Sequence, residues 1–212
     1  MITSQQNTTL SYLDKITKIQ NKLHQFIEFE NYKASVGLQN RQVSEKRISL
    51  LLDWIDKYID YIKAENTFSQ FGEIYDLKRG DVVLIDLGFN IGKEFGGEHP
   101  AIVLRDSRKG IDQVMVLPIS SKKPKNLTDP IYVEIPFIKN LKGYQNPNDP
   151  NDPDNGKHWA NILSIKNLSK SRIIYPPEKS TVDGRYLNRI SAAIKKQIAL
   201  RWFTIRKMFN KI

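Results

Sequence analysis

The chain has 212 residues, 40% hydrophobic and 10% aromatic, which is enough apolar surface for one large domain or two small ones. It has no cysteine, which excludes disulfides and thiolate chemistry, and no apolar run of about eighteen residues that would span a membrane. The polar stretch 1–9 has no apolar signal core, so we expect a cytoplasmic protein. The net charge of +10 fits a protein that binds a polyanion, usually nucleic acid, or a lysine-rich protein that is merely soluble.

The first third of the chain carries two apolar stripes at helical spacing. Apolar residues from Leu10 to Ile27 recur every three or four positions and predict a helix over residues 9 to about 30. After a break near Gly37, a similar stripe predicts a second helix from Val43 to Lys63. The sequence thus predicts an antiparallel helical hairpin over residues 1–70, with stripes buried against each other or against the next domain.

Residues 79–121 contain three short β-branched runs separated by turn formers, which predict strands of a small antiparallel sheet. Polar residues break this pattern in the first loop and at the strand ends, namely Glu94, His99, Ser120 and Ser121. Binding and catalytic groups commonly occupy such positions, because the adjoining strands hold them rigidly.

Prolines bracket residues 131–135, which predicts an edge strand. The stretch 146–156 is almost entirely turn formers and predicts an exposed loop; its carboxylates raise the possibility of calcium, but the spacing does not fit an EF-hand. Residues 159–165 return to strand character, and residues 164–174 alternate apolar positions with the basic side chains of Lys166, Lys170 and Arg172.

A final helix is predicted from a cap at Asp183 to about Phe209. From Arg185 onward this segment has arginine and lysine but neither aspartate nor glutamate. An unmixed cationic helix favours an anionic partner, although a charge run is more commonly just a solvated face.

Several of these segments together resemble the PemK/MazF family of toxin endoribonucleases. The resemblance begins at Arg-Gly-Asp-Val (79–82) and continues through Gly-Lys-Glu-Phe-Gly-Gly-Glu-His-Pro-Ala-Ile-Val-Leu (92–104). Val-Leu-Pro-Ile-Ser-Ser (116–121) is similar to the family's third strand, and Ile-Lys-Asn-Leu-Ser-Lys-Ser-Arg (165–172) resembles a later segment. The N-terminal hairpin lies outside this pattern, and residues 145–156 resemble an insertion.

The resemblance implies an α+β fold, in which a small SH3-like β-barrel with a C-terminal helix occupies residues 71–212 after the hairpin. It implies a cytoplasmic homodimer that cleaves single-stranded RNA sequence-specifically through the 2′-hydroxyl, with neither metal nor cofactor. It also implies a cognate antitoxin as protein partner, with DNA contacted only through the antitoxin complex.

The family's active site pairs a loop glutamate, an arginine before a proline, and a threonine that ends the third strand. By the resemblance, Glu94 matches the glutamate, Ser120 replaces the threonine, and His99 stands where the family has arginine. Histidine titrates near neutrality, so His99 could act as base or acid, whereas arginine could only donate and hold charge. The candidates for RNA binding are Lys93, Ser121, Lys122, Lys166, Lys170 and Arg172.

Each candidate also has a purely structural interpretation. His99 could be a strand-start histidine bonded to a backbone carbonyl, Glu94 a solvated loop carboxylate, and Ser120 a turn former. His158 suits packing better than base stacking, and His24 suits the helix surface. The chain as a whole could be a binding module whose chemistry ended when histidine replaced arginine.

Overall fold

The computed structural model describes residues 2–71, 76–92, 94–135, 138, 156–175 and 181–209. Within these ranges, the side chains of residues 2–10, 66–71, 175, 198 and 200–209 are not described. Two compact units are present, Met1–Ile59 and Asp60–Ile212. No helix of the described chain is long and apolar enough to cross a membrane. The predicted exposed loop, residues 146–156, lies almost wholly outside the described residues.

Two long helices form the N-terminal part of the chain, α1 (Ile2–Ser35) and α2 (Arg41–Phe71). Both are longer than predicted, and α2 continues to Phe71, beyond the predicted end at Lys63. A left-handed backbone at Gly37 reverses the chain, and the Asn40 side chain caps α2 by accepting from the Gln42 N–H at 2.8 Å. The predicted helical hairpin is confirmed.

Burial in the hairpin is concentrated at its loop end. Glu30 is only 1% exposed and accepts hydrogen bonds from Lys33, Gln39 and Arg47 at 2.7–3.1 Å. Further from the loop, apolar side chains of the predicted stripes are exposed, including Leu13, Ile16 and Ile19 on α1. Within this unit the two stripes are therefore not buried against each other along their length, which is contrary to the first of the two predicted alternatives.

Removing the carboxylate of Glu30 is expected to destabilise the hairpin. Burial acts to raise the pKa of Glu30, but the hydrogen bonds from Lys33, Gln39 and Arg47 outweigh it and leave the pKa lowered. Glu30→Gln should therefore reduce the free energy of unfolding by about 1–3 kcal/mol at neutral pH. Since the folded-state pKa is depressed, this difference should persist above the unfolded value of about 4.3 and disappear as pH falls through the folded value.

Urea unfolding followed by circular dichroism at several pH values measures this difference. Glu45→Gln is the matched control, because Glu45 pairs with Arg41 at an exposed position and should contribute about 0.5 kcal/mol or less. Equal stability of the two variants would show that the buried network does not hold the hairpin.

A seven-stranded antiparallel sheet forms the body of the second unit, in the order β4-β5-β3-β2-β1-β7, with β6 also paired to β3. Short 3-10 turns at Ile162–Ser164 and Lys170–Arg172 link β5 to β6 and β6 to β7. The strands are β1 (Val82–Asp86), β2 (Glu98–Val103), β3 (Gln113–Ser120), β4 (Tyr132–Ile135), β5 (His158–Asn161), β6 (Lys166–Ser169) and β7 (Ile173–Tyr175).

The α+β fold predicted from the sequence is confirmed, with β4 at the sheet edge as the flanking prolines indicated. Hydrogen bonding among the described strands does not close the sheet into a barrel, because β4 and β7 have no pairing with each other.

Apolar residues form one cluster on each face of the sheet. The larger cluster includes Ile102, Leu117 and Ile119, and the smaller includes Val83, Ile85 and Val116.

The C-terminal helix α3 (Gly184–Phe209) begins where the sequence predicts. The Asp183 side chain caps it by accepting from the Arg185 N–H at 2.8 Å. Leu187 and Ile190 are buried in the larger cluster, which fixes the helix against the sheet. The predicted stripe beyond residue 197 falls on side chains that are not described.

Candidate active site at the ends of two strands

The connection between β1 and β2 is a tightly bonded loop. The Leu87 N–H donates to Gly97 O at 2.8 Å, and the Gly97 N–H donates to Gly88 O at 2.7 Å. The Asn90 side-chain amide spans the interior of the loop by donating to the carbonyls of Leu87 and Phe95. A side chain at Gly96 would meet Gly88 O at 2.9 Å, so glycine is required there for the loop to close. Glu94 is exposed on this loop.

His99 and Ser120 lie at the ends of neighbouring strands. The register between β2 and β3 ends at the pair Ala101 and Pro118, two residues short of His99 on β2 and of Ser120 on β3. The imidazole hydrogen-bonds to the backbone at Ile119, the residue before Ser120. The fold therefore brings the imidazole of His99 to the end of β3 that carries Ser120.

The imidazole of His99 is half-buried beside Phe95. The two rings meet edge to face, with centroids 5.1 Å apart and planes at 89°. Burial lowers the pKa of His99, and hydrogen bonds to the backbone at Ile119 and Gly96 oppose that effect only in part. Near pH 7 the imidazole is therefore mainly neutral, and a neutral imidazole can accept a proton. The interpretation of His99 as a histidine bonded to backbone is correct.

The end of β3 supplies a hydroxyl and a cation. The Ser120 hydroxyl oxygen accepts from the Lys122 N–H at 3.0 Å, which is the turn geometry that the structural interpretation predicts. This bond uses an oxygen lone pair and leaves the hydroxyl proton free to donate. Ser121 and Lys122 are both exposed beside it. Lys93, the remaining loop candidate, lies outside the described residues.

The three basic residues predicted from the later segment are in different environments. Lys166 pairs with Val116, four residues along β3 from Ser120, which is about 13 Å at the rise of a strand. Arg172 is half-buried in the 3-10 turn before β7.

The prediction that Lys170 presents its ammonium group to RNA is a misassignment. The side chain is fully buried, and Nζ donates to the carbonyls of Ser107 and Arg108 at 3.0 and 2.9 Å. Burial lowers the pKa of Lys170, while Asp112 and Asp76 act in the opposite direction. A 3-10 turn interrupts the strand at this point and rotates the side chain inward, so strand alternation does not apply.

A polar cluster beside His99 was not anticipated from the sequence. Asp86 is buried at the end of β1 and accepts from the Gly88 N–H at 2.9 Å and from the Tyr61 hydroxyl at 3.1 Å. Burial, together with Asp86 and Glu98, raises the pKa of Tyr61 to about 12, and Arg172 acts against this. Glu98 is opposite Asp86 and precedes His99, so these charges adjoin the strand end that holds the imidazole.

The other histidines are outside this arrangement. His158 is buried on β5, as the packing interpretation requires, and burial lowers its pKa. The side chain of His24 is 79% exposed on α1, as predicted. No group of three His, Cys, Asp or Glu side chains with the arrangement of a metal site occurs among the described residues.

Comparisons with known proteins give one family. A family model described as a PemK-like, MazF-like toxin of type II toxin-antitoxin systems matches residues 78–198. A crystal structure of MazF from Deinococcus radiodurans is 17% identical, covers 59% of this chain and 98% of its own, and has a TM-score of 0.43. Two structures of MazE-MazF from that organism are 17% and 16% identical, with TM-scores of 0.40 and 0.39. They cover 59% of this chain and 97% and 98% of theirs. A comparison with curated proteins gives no match.

The family model matches more than half of the chain. The matched range contains all seven strands, the glycine-rich loop with Glu94, and the His99 and Ser120 positions. The resemblance drawn from the sequence is thereby confirmed. The chain belongs to the PemK-like, MazF-like toxins of type II toxin-antitoxin systems.

Proposed function

We propose that the chain is an endoribonuclease that cleaves single-stranded RNA sequence-specifically, by attack of a 2′-hydroxyl on the adjacent phosphorus. The observation that carries the proposal is the hydrogen bond of the His99 imidazole to the backbone at Ile119, next to Ser120 at the end of β3. A base and a hydroxyl donor at neighbouring strand ends suit a phosphodiester bound between them. Glu94 on the adjoining loop completes the set of positions that correspond to the family's active site.

In this mechanism His99 acts as the base. Its neutral imidazole takes the proton of the 2′-hydroxyl while the bond from O2′ to phosphorus forms and the bond from phosphorus to O5′ breaks. The products are a 2′,3′-cyclic phosphate and a 5′-hydroxyl, whose oxygen takes its proton from solvent. The imidazolium of His99 then returns its proton to solvent. Ser120 donates to a phosphate oxygen, and Lys122 supplies positive charge.

Because its pKa is lowered, His99 can act as a base, a role that an arginine at this position could not have. Arginine stays protonated at every usable pH and serves as a fixed positive charge. A mainly neutral imidazole suits proton transfer but supplies little positive charge. The positive charge at the phosphate must therefore come from other cations.

The residues that remain proposed RNA contacts are Lys93, Ser121, Lys166 and Arg172. Lys170 is left out because its ammonium group is buried.

We further propose a cognate antitoxin as the protein partner, a homodimer as the assembly and the cytoplasm as the location. Crystal structures of MazE-MazF are among those similar to this chain. Any contact with DNA would then run through the antitoxin complex.

Cleavage of RNA should not depend on a divalent metal, because each step above uses side chains of the chain itself or solvent. Purified protein incubated with a long single-stranded RNA should cleave it equally well with and without EDTA. Loss of cleavage in EDTA that a divalent ion restores would contradict the mechanism. Intact RNA under both conditions, with RNA binding retained, would favour a binding module in which His99 replaced the catalytic arginine.

A further inference from the structure

A cationic cavity lies at the opposite end of β2 from His99. It has a volume of about 570 Å³. Five residues separate His99 from Leu104, which is about 17 Å at the rise of a strand. The cavity therefore lies outside the candidate active site. Its lining consists of Arg79, Leu104, Arg105, Asp106, Arg108 and Ile111.

The turn that carries two of these arginines is fixed from three sides. Leu77 and Ser107 exchange two backbone hydrogen bonds, at 3.1 and 2.8 Å. The Ser107 hydroxyl donates to Gln113 O at 2.6 Å, and the buried Lys170 ammonium holds the carbonyls of Ser107 and Arg108. A turn held in this way has little backbone freedom left to lose on binding.

The charges around the cavity are unbalanced. Arg105 and Arg108 are exposed, and within the described part of the chain their side chains have neither a hydrogen bond nor an ion pair. Arg79 is anchored to α3, because its guanidinium donates to Leu187 O at 3.2 Å and to the Ser191 hydroxyl at 3.0 Å. The single carboxylate of the lining, Asp106, accepts from the Arg79 backbone N–H at 2.7 Å. The lining of the cavity thus carries three guanidinium groups and one carboxylate.

The cavity adjoins the cationic surface of α3. Arg79 contacts this helix at residues 187 and 191, and the described side chains of α3 include cations but neither aspartate nor glutamate. Arg185, Arg189, Lys195 and Lys196 are exposed there. Arg79 therefore links this cavity to the cationic helix α3.

We propose that this cavity is a second phosphate-binding site, which holds the backbone of single-stranded RNA away from the bond that is cleaved. Guanidinium groups bind phosphate oxygens through two parallel hydrogen bonds, which suits Arg105 and Arg108. Leu104 and Ile111 provide apolar contact for a sugar or base. The site deepens the proposed function, since it rests on RNA as the ligand.

The double variant Arg105→Ala, Arg108→Ala tests the site in a His99→Ala background, where cleavage does not consume the ligand. Binding of a fluorescein-labelled single-stranded RNA is measured by anisotropy at several salt concentrations. We expect the affinity to fall at least tenfold, and the log–log salt slope to become less negative by about 1.4, or about 0.7 for each lost phosphate contact. The Lys170 contact should persist, because it uses the backbone carbonyl of Arg108. An unchanged circular dichroism melt checks this.

Arg41→Ala with Lys46→Ala is the matched control, because it removes the same charge from exposed positions of α2. It should leave affinity and slope nearly unchanged. A double lysine variant at residues 105 and 108 keeps the charge without the planar fork and should recover part of the affinity.

The outcomes separate this site from the proposed function. Unchanged binding in the Arg105, Arg108 double variant, or an equal loss in the control, would overturn the site and leave the cleavage proposal standing. The parent chain could bind RNA without ever cleaving it, while the double variant loses that binding. This result would support the site and overturn the cleavage proposal. Absence of RNA binding by the parent would overturn both.

Discussion

Replacing His99 with alanine is expected to lower the rate of RNA cleavage by about a hundredfold or more, the usual contribution of a positioned proton-transfer group. The wild-type rate should rise with pH, because a base acts in its deprotonated form. Burial lowers the pKa of His99, so this rise should be centred below the ordinary value of about 6.5 and level off above it. Single-turnover cleavage of a defined RNA, measured from acid to neutral pH, gives both quantities.

His99→Arg is the sharper variant, because it restores the family's residue and removes the titration. We expect it to bind RNA, to retain some cleavage and to lose the pH dependence near neutrality. His24→Ala is the matched control, since the side chain of His24 is 79% exposed on α1. If His99→Ala cleaves as fast as the parent, His99 is structural and the assignment of the base is wrong.

Replacing Lys170 with methionine is expected to lower the free energy of unfolding by about 3 kcal/mol. The change removes two hydrogen bonds from a charged donor, each worth about 1.5–3 kcal/mol. The carbonyls of Ser107 and Arg108 keep the backbone hydrogen bonds that they accept from the Leu77 and Ile111 N–H groups, which holds the loss near the lower end of that range. Methionine keeps most of the side-chain volume, so the cavity contribution stays small. Urea unfolding of the full chain, followed by tryptophan fluorescence, measures the loss.

Lys166→Met provides the comparison for Lys170→Met. Lys166 is half-exposed on β6, four residues earlier, so its replacement should change stability by about 0.5 kcal/mol or less. Equal stabilities of the two variants would mean that the buried ammonium group contributes nothing to the turn. In that event the rigidity ascribed to residues 104–112 would also lose its support.

The sequence predicted the end of the sheet that carries the candidate active site because the signal there is local. His99 and Ser120 interrupt two β-branched runs, and the antiparallel pairing of β2 with β3 runs toward both residues. Asp183 was identified as a helix cap in the same way, from one residue and its neighbours.

Three features of the fold depend on tertiary structure and were missed or mispredicted. Tyr61 reaches Asp86 from a helix whose residues are distant in sequence, and no spacing pattern encodes that contact. Lys170 follows the alternation of an exposed strand residue, yet a 3-10 turn directs it into the protein. The apolar stripes of α1 and α2 predict helices correctly, but periodicity alone does not determine how much of each stripe is covered.

The ends of the RNA fragments test the central claim most directly. Mass spectrometry of fragments made by the purified chain in EDTA, with His99→Ala protein run in parallel, identifies the bond that breaks. We predict 2′,3′-cyclic phosphate and 5′-hydroxyl ends from the wild-type protein and very little product from the variant. Fragments with 3′-hydroxyl and 5′-phosphate ends, or equal product from the two proteins, would contradict transesterification by His99.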